Sequence, residues 1–565
     1  MSKMSNAVKM TSAKEKEAKV LRLEETVENY MGGDSYVINP LDTLKMVTSS
    51  SIFGEPAYYR NSVAGKNDAG VIKEGRYEVD KLVTGVILAE EDYKGKTTTQ
   101  VMEDVIDKSL DYDFAGTLDW AVELRKDFNM RLNPQVIMVR AALHPKRAEF
   151  TEKNPGKFDE VNNLVMSRAD EPMSQMAYYL YKNGKKNGMP SILKRSWAKK
   201  LGKLKRYQVA KYKNHEIGMV NAVRLCHANS KVLNELMQTG TVVADEDEKT
   251  WENLRSEGKS WKEIVDSGCM GHMAMLRNIR NIFKEVCDPA FCQEFFRKLK
   301  AGVAEGKQFP FRYYSALQMV EKDYDINHKQ MILDALEECM DLAMVNFPKL
   351  KGRTMCLSDN SGSAWGTFNS EFGKVTVADI DNLSATMTAV NSDEGWVGKF
   401  GDKLINTSIS KRTGVLAQAK KISGKRDYDV GGGTEGGIWK FFRDAINNKE
   451  HWDNIFIYSD QQAGHGGLYG TEADKQEYNK LGFSCGGGWG WSSGYVNVFK
   501  LIQEYRKLVN PKVNVFSIQT AGYENVVIPE MAYRTAILYG WTGKETVFAD
   551  AYIKQWDAIE AAQKN

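Results

Sequence analysis

The chain has no run of 18 or more consecutive apolar residues among its 565, so no membrane-spanning helix is expected. Its first twenty residues are rich in Lys and Ser without an apolar core, and no secretory signal is expected there. Cysteine is sparse and unpaired in pattern. The seven, at positions 226, 269, 287, 292, 339, 356 and 485, form no Cys-x-x-Cys spacing, which argues against a zinc site and for reduced thiols in a cytoplasm. Only seven histidines occur, none in His-Glu-x-x-His, and no ordered Ser, His and Asp set stands out. The glycine-rich stretch Gly431–Gly437 lacks the Lys-Ser/Thr of a phosphate-binding loop, which removes the ordinary NTPase reading. Nor is there a charge excess of one sign, since the formal net charge is +3.

What is present divides into two textures. A chain of this length is expected to hold more than one domain. Residues 1–30 read as a polar arm running into a helix over Lys19 to Tyr30, stopped by Met31-Gly-Gly33. From Asn39 to about Phe347, apolar residues recur at helical spacing, as in Leu41, Leu44, Val47 and Val101, Val105, Ile106, Leu110. No fixed repeat period is visible, so a helical-repeat module over 31–350 rests on helix density. After residue 350, strand-like runs at 353–358, 394–400, 455–459 and 512–518 alternate with helices near 376–390, 438–447 and 496–508. That alternation predicts an α/β domain over 351–565, with a parallel sheet covered on both faces.

The run Met355-Cys-Leu breaks into Asp359-x-Ser361-x-Ser363. A buried strand that ends in a small-residue loop sets its side-chain oxygens at the carboxyl edge of a sheet, where open α/β folds bind ligands. One carboxylate and two hydroxyls are hard donors suited to Mg²⁺ or Mn²⁺. Thr434, within the glycine-rich loop, and Asp460, at the end of Ile455–Ser459, complete the donor set. This series resembles the metal-ion-dependent adhesion site of von Willebrand factor A domains. The resemblance implies that Ser361, Ser363 and Thr434 bind metal directly and that Asp359 and Asp460 act largely through water. Ala364-Trp365 departs from the family's usual continuation.

A second signal is local charge. Between Lys182 and Lys213 stand twelve Lys or Arg and no acid. Pro190 opens a helix there, with Leu193, Trp197, Leu201 and Leu204 as its apolar stripe and Lys194, Arg195, Lys199, Lys200, Lys203, Lys205 and Arg206 crowding it. Cations of one sign repel, and a phosphate backbone relieves the repulsion through counterion release. Residues 351–565, by contrast, hold 24 Lys or Arg against 24 Asp or Glu.

Leu193-Lys-Arg, Ala210-Lys-Tyr-Lys, Val223-Arg-Leu-Cys-His227, Thr250-Trp-Glu and Met273–Ile279 resemble the TROVE module of the Ro autoantigen family. That family joins a TROVE module to a von Willebrand A domain, the order seen here. The resemblance implies a monomeric ring of HEAT-like helices that binds small structured noncoding (Y-like) RNA and single-stranded ends of misfolded RNA. The family's RNA-contacting Lys and His match Lys211 and His227, while His215 stands where the family has Arg, with Lys213 and Arg224 able to compensate. For His227 a hydrogen-bonded core position is an equal alternative. Lys194, Arg195, Lys199, Lys200, Lys211, Lys213, His215, Arg224 and His227 are therefore the candidate RNA contacts of a cytoplasmic, non-enzymatic RNA-binding protein. Its metal edge is suited to an acidic residue of a protein partner. The competing reading is a metal-dependent protein-binding adaptor, whose helical half is a scaffold without a specific RNA.

Overall fold

The computed structural model describes residues 26–28, 34–36, 39–50 and 98–563, apart from 185–187, 214–216, 246–247, 309, 363, 366, 371–372, 425–428, 460–475, 478, 481–497, 521–532 and 540–542. Among the described residues, helix follows helix from Pro40 to Ala343, and a mixed sheet then begins at Leu350. No described helix is long and apolar enough to cross a membrane.

The helical part begins with Pro40–Ser50, Thr98–Tyr112, Phe114–Lys126 and Asn133–Leu143 and ends with Pro310–Glu321 and Lys329–Ala343. Caps set many boundaries. Asp113 accepts the Gly116 N–H at 2.8 Å, Ser230 caps Lys231–Thr239, and Ser260 with Glu263 forms a reciprocal box at Trp261–Asp266. The run returns on itself, because Asn129 Nδ2 donates to the Lys307 carbonyl at 3.4 Å across 178 residues of sequence.

The expected helix over Lys19–Tyr30 is not what forms at its described end. Thr26–Glu28 is a strand paired antiparallel with Asp34–Tyr36. Thr26 and Val27 are β-branched, and Gly32 and Gly33 lie between the paired segments rather than beyond a helix.

The six-stranded sheet runs in the order Thr535–Tyr539, Asn514–Gln519, Asn454–Ser459, Leu350–Asp359, Ser392–Phe400, Leu404–Ser408. The first five strands are parallel; Leu404–Ser408 pairs antiparallel at the edge, so the sheet is mixed rather than wholly parallel. A half-exposed edge strand returning by a tight connection needs no crossover helix, which is why it escapes the alternation of strand and helix. Asn454–Ser459 is buried along its whole length, as a strand covered on both faces must be.

From Leu350–Asp359 the chain crosses through the helix Val377–Val390 to Ser392–Phe400 on one side. It later enters Asn454–Ser459 on the other side. The strand order therefore reverses between Leu350–Asp359 and Asn454–Ser459, and the crevice beyond their carboxyl ends is the topological switch point. Both ends of the helical run meet the sheet domain. Pro40–Ser50 packs on Thr535–Tyr539. At the other end Asp341 accepts the Val415 N–H at 2.8 Å and Glu337 the Ala417 N–H at 3.1 Å, capping the helix Val415–Ser423.

Candidate metal edge and nucleic-acid interface

At the switch point Asp359 ends the central strand and is fully buried. Its Oδ1 accepts the Ser361 N–H at 2.8 Å, and its Oδ2 accepts the Ser459 hydroxyl at 2.5 Å. The carboxylate is thus held by groups from both strands that flank the crevice. Gly362 N–H donates to the Gly432 carbonyl at 3.0 Å, which ties the Asp359–Ser361 loop to the glycine-rich loop that carries Thr434. Thr434 is buried and precedes the helix Glu435–Asn447. Its hydroxyl makes no capping hydrogen bond, although Thr is a good cap. Asp359, Ser361 and Thr434 thus converge on one edge. Ser363 and Asp460 lie outside the described residues.

The donor chemistry fits a small hard cation. The three described groups offer oxygen only, and no cluster of three or more His, Cys, Asp or Glu occurs among the described residues. A carboxylate with neutral hydroxyls suits Mg²⁺ or Mn²⁺ and not zinc.

Sequence reasoning missed Asp402. It lies two residues beyond the strand Ser392–Phe400 and accepts the Gly432 and Gly433 N–H groups at 2.9 and 3.1 Å, while Lys440 Nζ donates to its carbonyl at 2.7 Å. A Cβ at Gly431, whose φ is +84°, or at Gly433 would collide with this carboxylate, so these glycines serve the Asp402 contact. The findable signal was an acid just past a strand end, the logic applied to Asp460.

The basic segment lies on three helices, Ser191–Leu201, Arg206–Lys211 and Met219–Cys226. Ile192, Leu193, Trp197 and Leu201 are buried, and Trp197 Nε1 donates to Gln175 at 2.8 Å. Arg195, Lys199, Lys203 and Lys205 face solvent, Lys194 and Lys200 are half-buried, and none of the six meets a carboxylate among the described residues. Burial lowers the pKa of Lys200, an effect that the Glu171 carboxylate opposes and that Lys126 and Lys203 reinforce.

Three cations of the segment are neutralised by acids remote in sequence, Lys182 by Glu103 at 2.6 Å among them. Arg206 forms a two-pronged pair with Glu235, at 2.7 and 2.5 Å, and Lys211 pairs with Glu252 at 3.2 Å. The absence of acids in the linear segment therefore overstated the unbalanced charge, because folding brought carboxylates from helices before and after it. His227 is exposed at the end of Met219–Cys226 with φ +58°, so the core alternative for it is set aside. Gly202, just past Ser191–Leu201, lies against the Asn229 backbone, which sets the Lys199–Lys203 end of that helix beside the His227 turn. Arg224 is exposed, Lys213 half-buried, and His215 lies outside the described residues.

A helical module joined to a doubly wound α/β domain, with an oxygen-donor edge at the switch point, defines a two-module architecture. Residues 233–339 match the TROVE domain family model. In fold the chain is similar to the crystal structure of the Deinococcus radiodurans Ro (RSR) protein, with a TM-score of 0.57 at 14% identity, covering 85% of this chain and 98% of that one. No curated protein matches the chain in sequence. The chain thus carries a TROVE-like segment at 233–339 within a fold similar to that of a Ro protein.

Proposed function

We propose that this is an RNA-binding protein of Ro type. The face built by Lys194, Arg195, Lys199, Lys200, Lys203 and Lys205 binds small structured noncoding RNA, together with Lys211, Lys213, His215, Arg224 and His227. Single-stranded ends of misfolded RNA are the second ligand, in quality control or ribonucleoprotein assembly. One observation carries the reading: solvent-facing cations, without carboxylate partners among the described residues, crowd the helix Ser191–Leu201 and the turn after it, upstream of the TROVE-matching residues 233–339. Leaving such a patch bare costs self-repulsion, and polyphosphate offsets it. The reading is one of binding, and six free cysteines among the described residues accord with a reducing cytoplasm.

The second part of the proposal is a Mg²⁺ or Mn²⁺ ion held by Asp359, Ser361, Ser363, Thr434 and Asp460. One or two carboxylates with neutral hydroxyls leave a divalent cation under-neutralised, so an acidic side chain of a protein partner suits the open position. Crosslinking the full chain to co-purified RNA, with sequencing and end mapping, tests the first part. A defined small RNA together with heterogeneous 3′ ends is expected. Background RNA alone refutes it in favour of the metal-dependent adaptor.

A further inference from the structure

Asn360, between Asp359 and Ser361, has every polar atom engaged. Its N–H donates to the Phe400 carbonyl at 2.8 Å, and its carbonyl accepts the Trp365 indole N–H at 3.1 Å. Its side-chain Nδ2 donates to Asn382 Oδ1 at 2.9 Å and to the Ser358 carbonyl at 3.1 Å, and its Oδ1 accepts Asn382 Nδ2 at 3.0 Å.

Asn382 comes from the middle of the helix Val377–Val390, which packs against the central strand, and it is fully buried. It is saturated as well: Oδ1 also accepts the Ser358 hydroxyl at 2.7 Å, and Nδ2 also donates to the Ser423 hydroxyl at 3.0 Å. A buried amide costs free energy unless its bonds are made, and here all but the bond to Ser423 are made to Asn360 in the loop or to Ser358 in the strand that leads into it. Apolar side chains would fill this space without that cost, so the two amides call for an explanation other than packing.

We infer that Asn382 is the positioning residue of the metal loop: through its reciprocal amide pair with Asn360 it fixes the backbone between Asp359 and Ser361 in the geometry that a divalent cation requires. This rests on the metal reading above and adds a residue that touches no metal. Ligands held by an ordered outer shell need no rearrangement on binding, and loss of such a partner costs about 10- to 100-fold in metal affinity. The Trp365 indole closes the same loop from the other side, a role for the residue that departs from the family's usual sequence.

The test is Mn²⁺ titrated into the full chain, with free Mn²⁺ followed by electron paramagnetic resonance and apo stability by thermal denaturation. Asn382→Ala should weaken binding about 10- to 100-fold. Asn360→Ala cuts the same pair from the loop side and leaves the helix untouched, so it should show a similar loss. Tyr458→Phe is the control: its hydroxyl lies 2.6 Å from that of Thr388 on the same helix, in an equally buried hydrogen bond that involves neither Asn360 nor Asn382. It should lower the melting temperature and keep wild-type affinity. Wild-type Mn²⁺ affinity in folded Asn382→Ala or Asn360→Ala overturns the inference and leaves the metal reading standing. An equal loss of affinity in Tyr458→Phe also overturns it, because stability alone would then account for the effect. If the wild-type chain takes up no Mn²⁺, the metal reading fails and this inference with it.

Discussion

Changing Arg195, Lys199 and Lys203 together to Gln should flatten the salt dependence of RNA binding while leaving the fold intact. All three are exposed, none meets a carboxylate among the described residues, and they follow one another at intervals of four along Ser191–Leu201 and the turn after it. Each phosphate neutralised contributes roughly 0.7 to the slope of log K against log salt for a single strand, so three contacts are worth about two units. Two units mean that the wild-type advantage shrinks about 16-fold between 50 and 200 mM salt. The assay is filter binding of one labelled RNA over that range, beside a melting curve for each protein. Arg206→Gln is the internal control. Its guanidinium is already paired with Glu235, so its loss should leave the slope within error. An unchanged slope in the triple variant, or an equal flattening in Arg206→Gln, refutes the assignment of this face.

His227→Ser should weaken a small structured RNA more than a plain single strand, with no change in melting temperature, because the ring is exposed at a helix end. Equal weakening of both RNAs with a lowered melting temperature would return His227 to the core. His272 is a histidine that does belong to the core: its ring bonds to the Leu299 carbonyl at 2.8 Å and lies 2.7 Å from the Tyr313 hydroxyl. Gly302 and Gly306 close over it, where an added Cβ would come within 2.8 and 2.7 Å of the ring or its Cβ. Burial lowers the His272 pKa below 6.5. The folded state then holds it neutral, and the unfolded state binds the proton first. Its stabilising contribution is therefore complete above pH 6.5 and is lost on acidification towards the folded pKa, with a slope of at most about 1.4 kcal/mol per pH unit. His272→Gln should lessen that slope in urea unfolding between pH 7 and 5; an identical slope refutes it.

How much of this was readable from sequence depended on whether a feature was local. Thr376 with Asp379 forms a capping box at the head of Val377–Val390, and the strands ending at Asp359 and Ser459 are continuous apolar runs, so both were legible. Leu404–Ser408 alternates partly exposed residues at a sheet edge, and Thr535–Tyr539 is five residues long, so neither announces itself. The pairing of Arg206 with Glu235 and of Asn360 with Asn382 depends on side chains brought together by tertiary packing, and no spacing rule reports it. Asp402 belongs to this second kind and gives the sharpest remaining test. It supports the loop before Thr434 by two hydrogen bonds from backbone N–H groups, and bonds to a charged acceptor are worth about 1.5–3 kcal/mol each. Its half-buried position discounts this, so Asp402→Ala should cost about 2–4 kcal/mol in stability. Because the loop it holds carries Thr434 and is bonded to Gly362, the same change should weaken Mn²⁺ binding, whereas Asp402→Asn, which retains one acceptor oxygen, should lose less on both measures. Urea unfolding and Mn²⁺ titration of the two variants check this. If Asp402→Ala alters neither, the loop holds its shape unaided and Thr434 is placed by the helix Glu435–Asn447 alone.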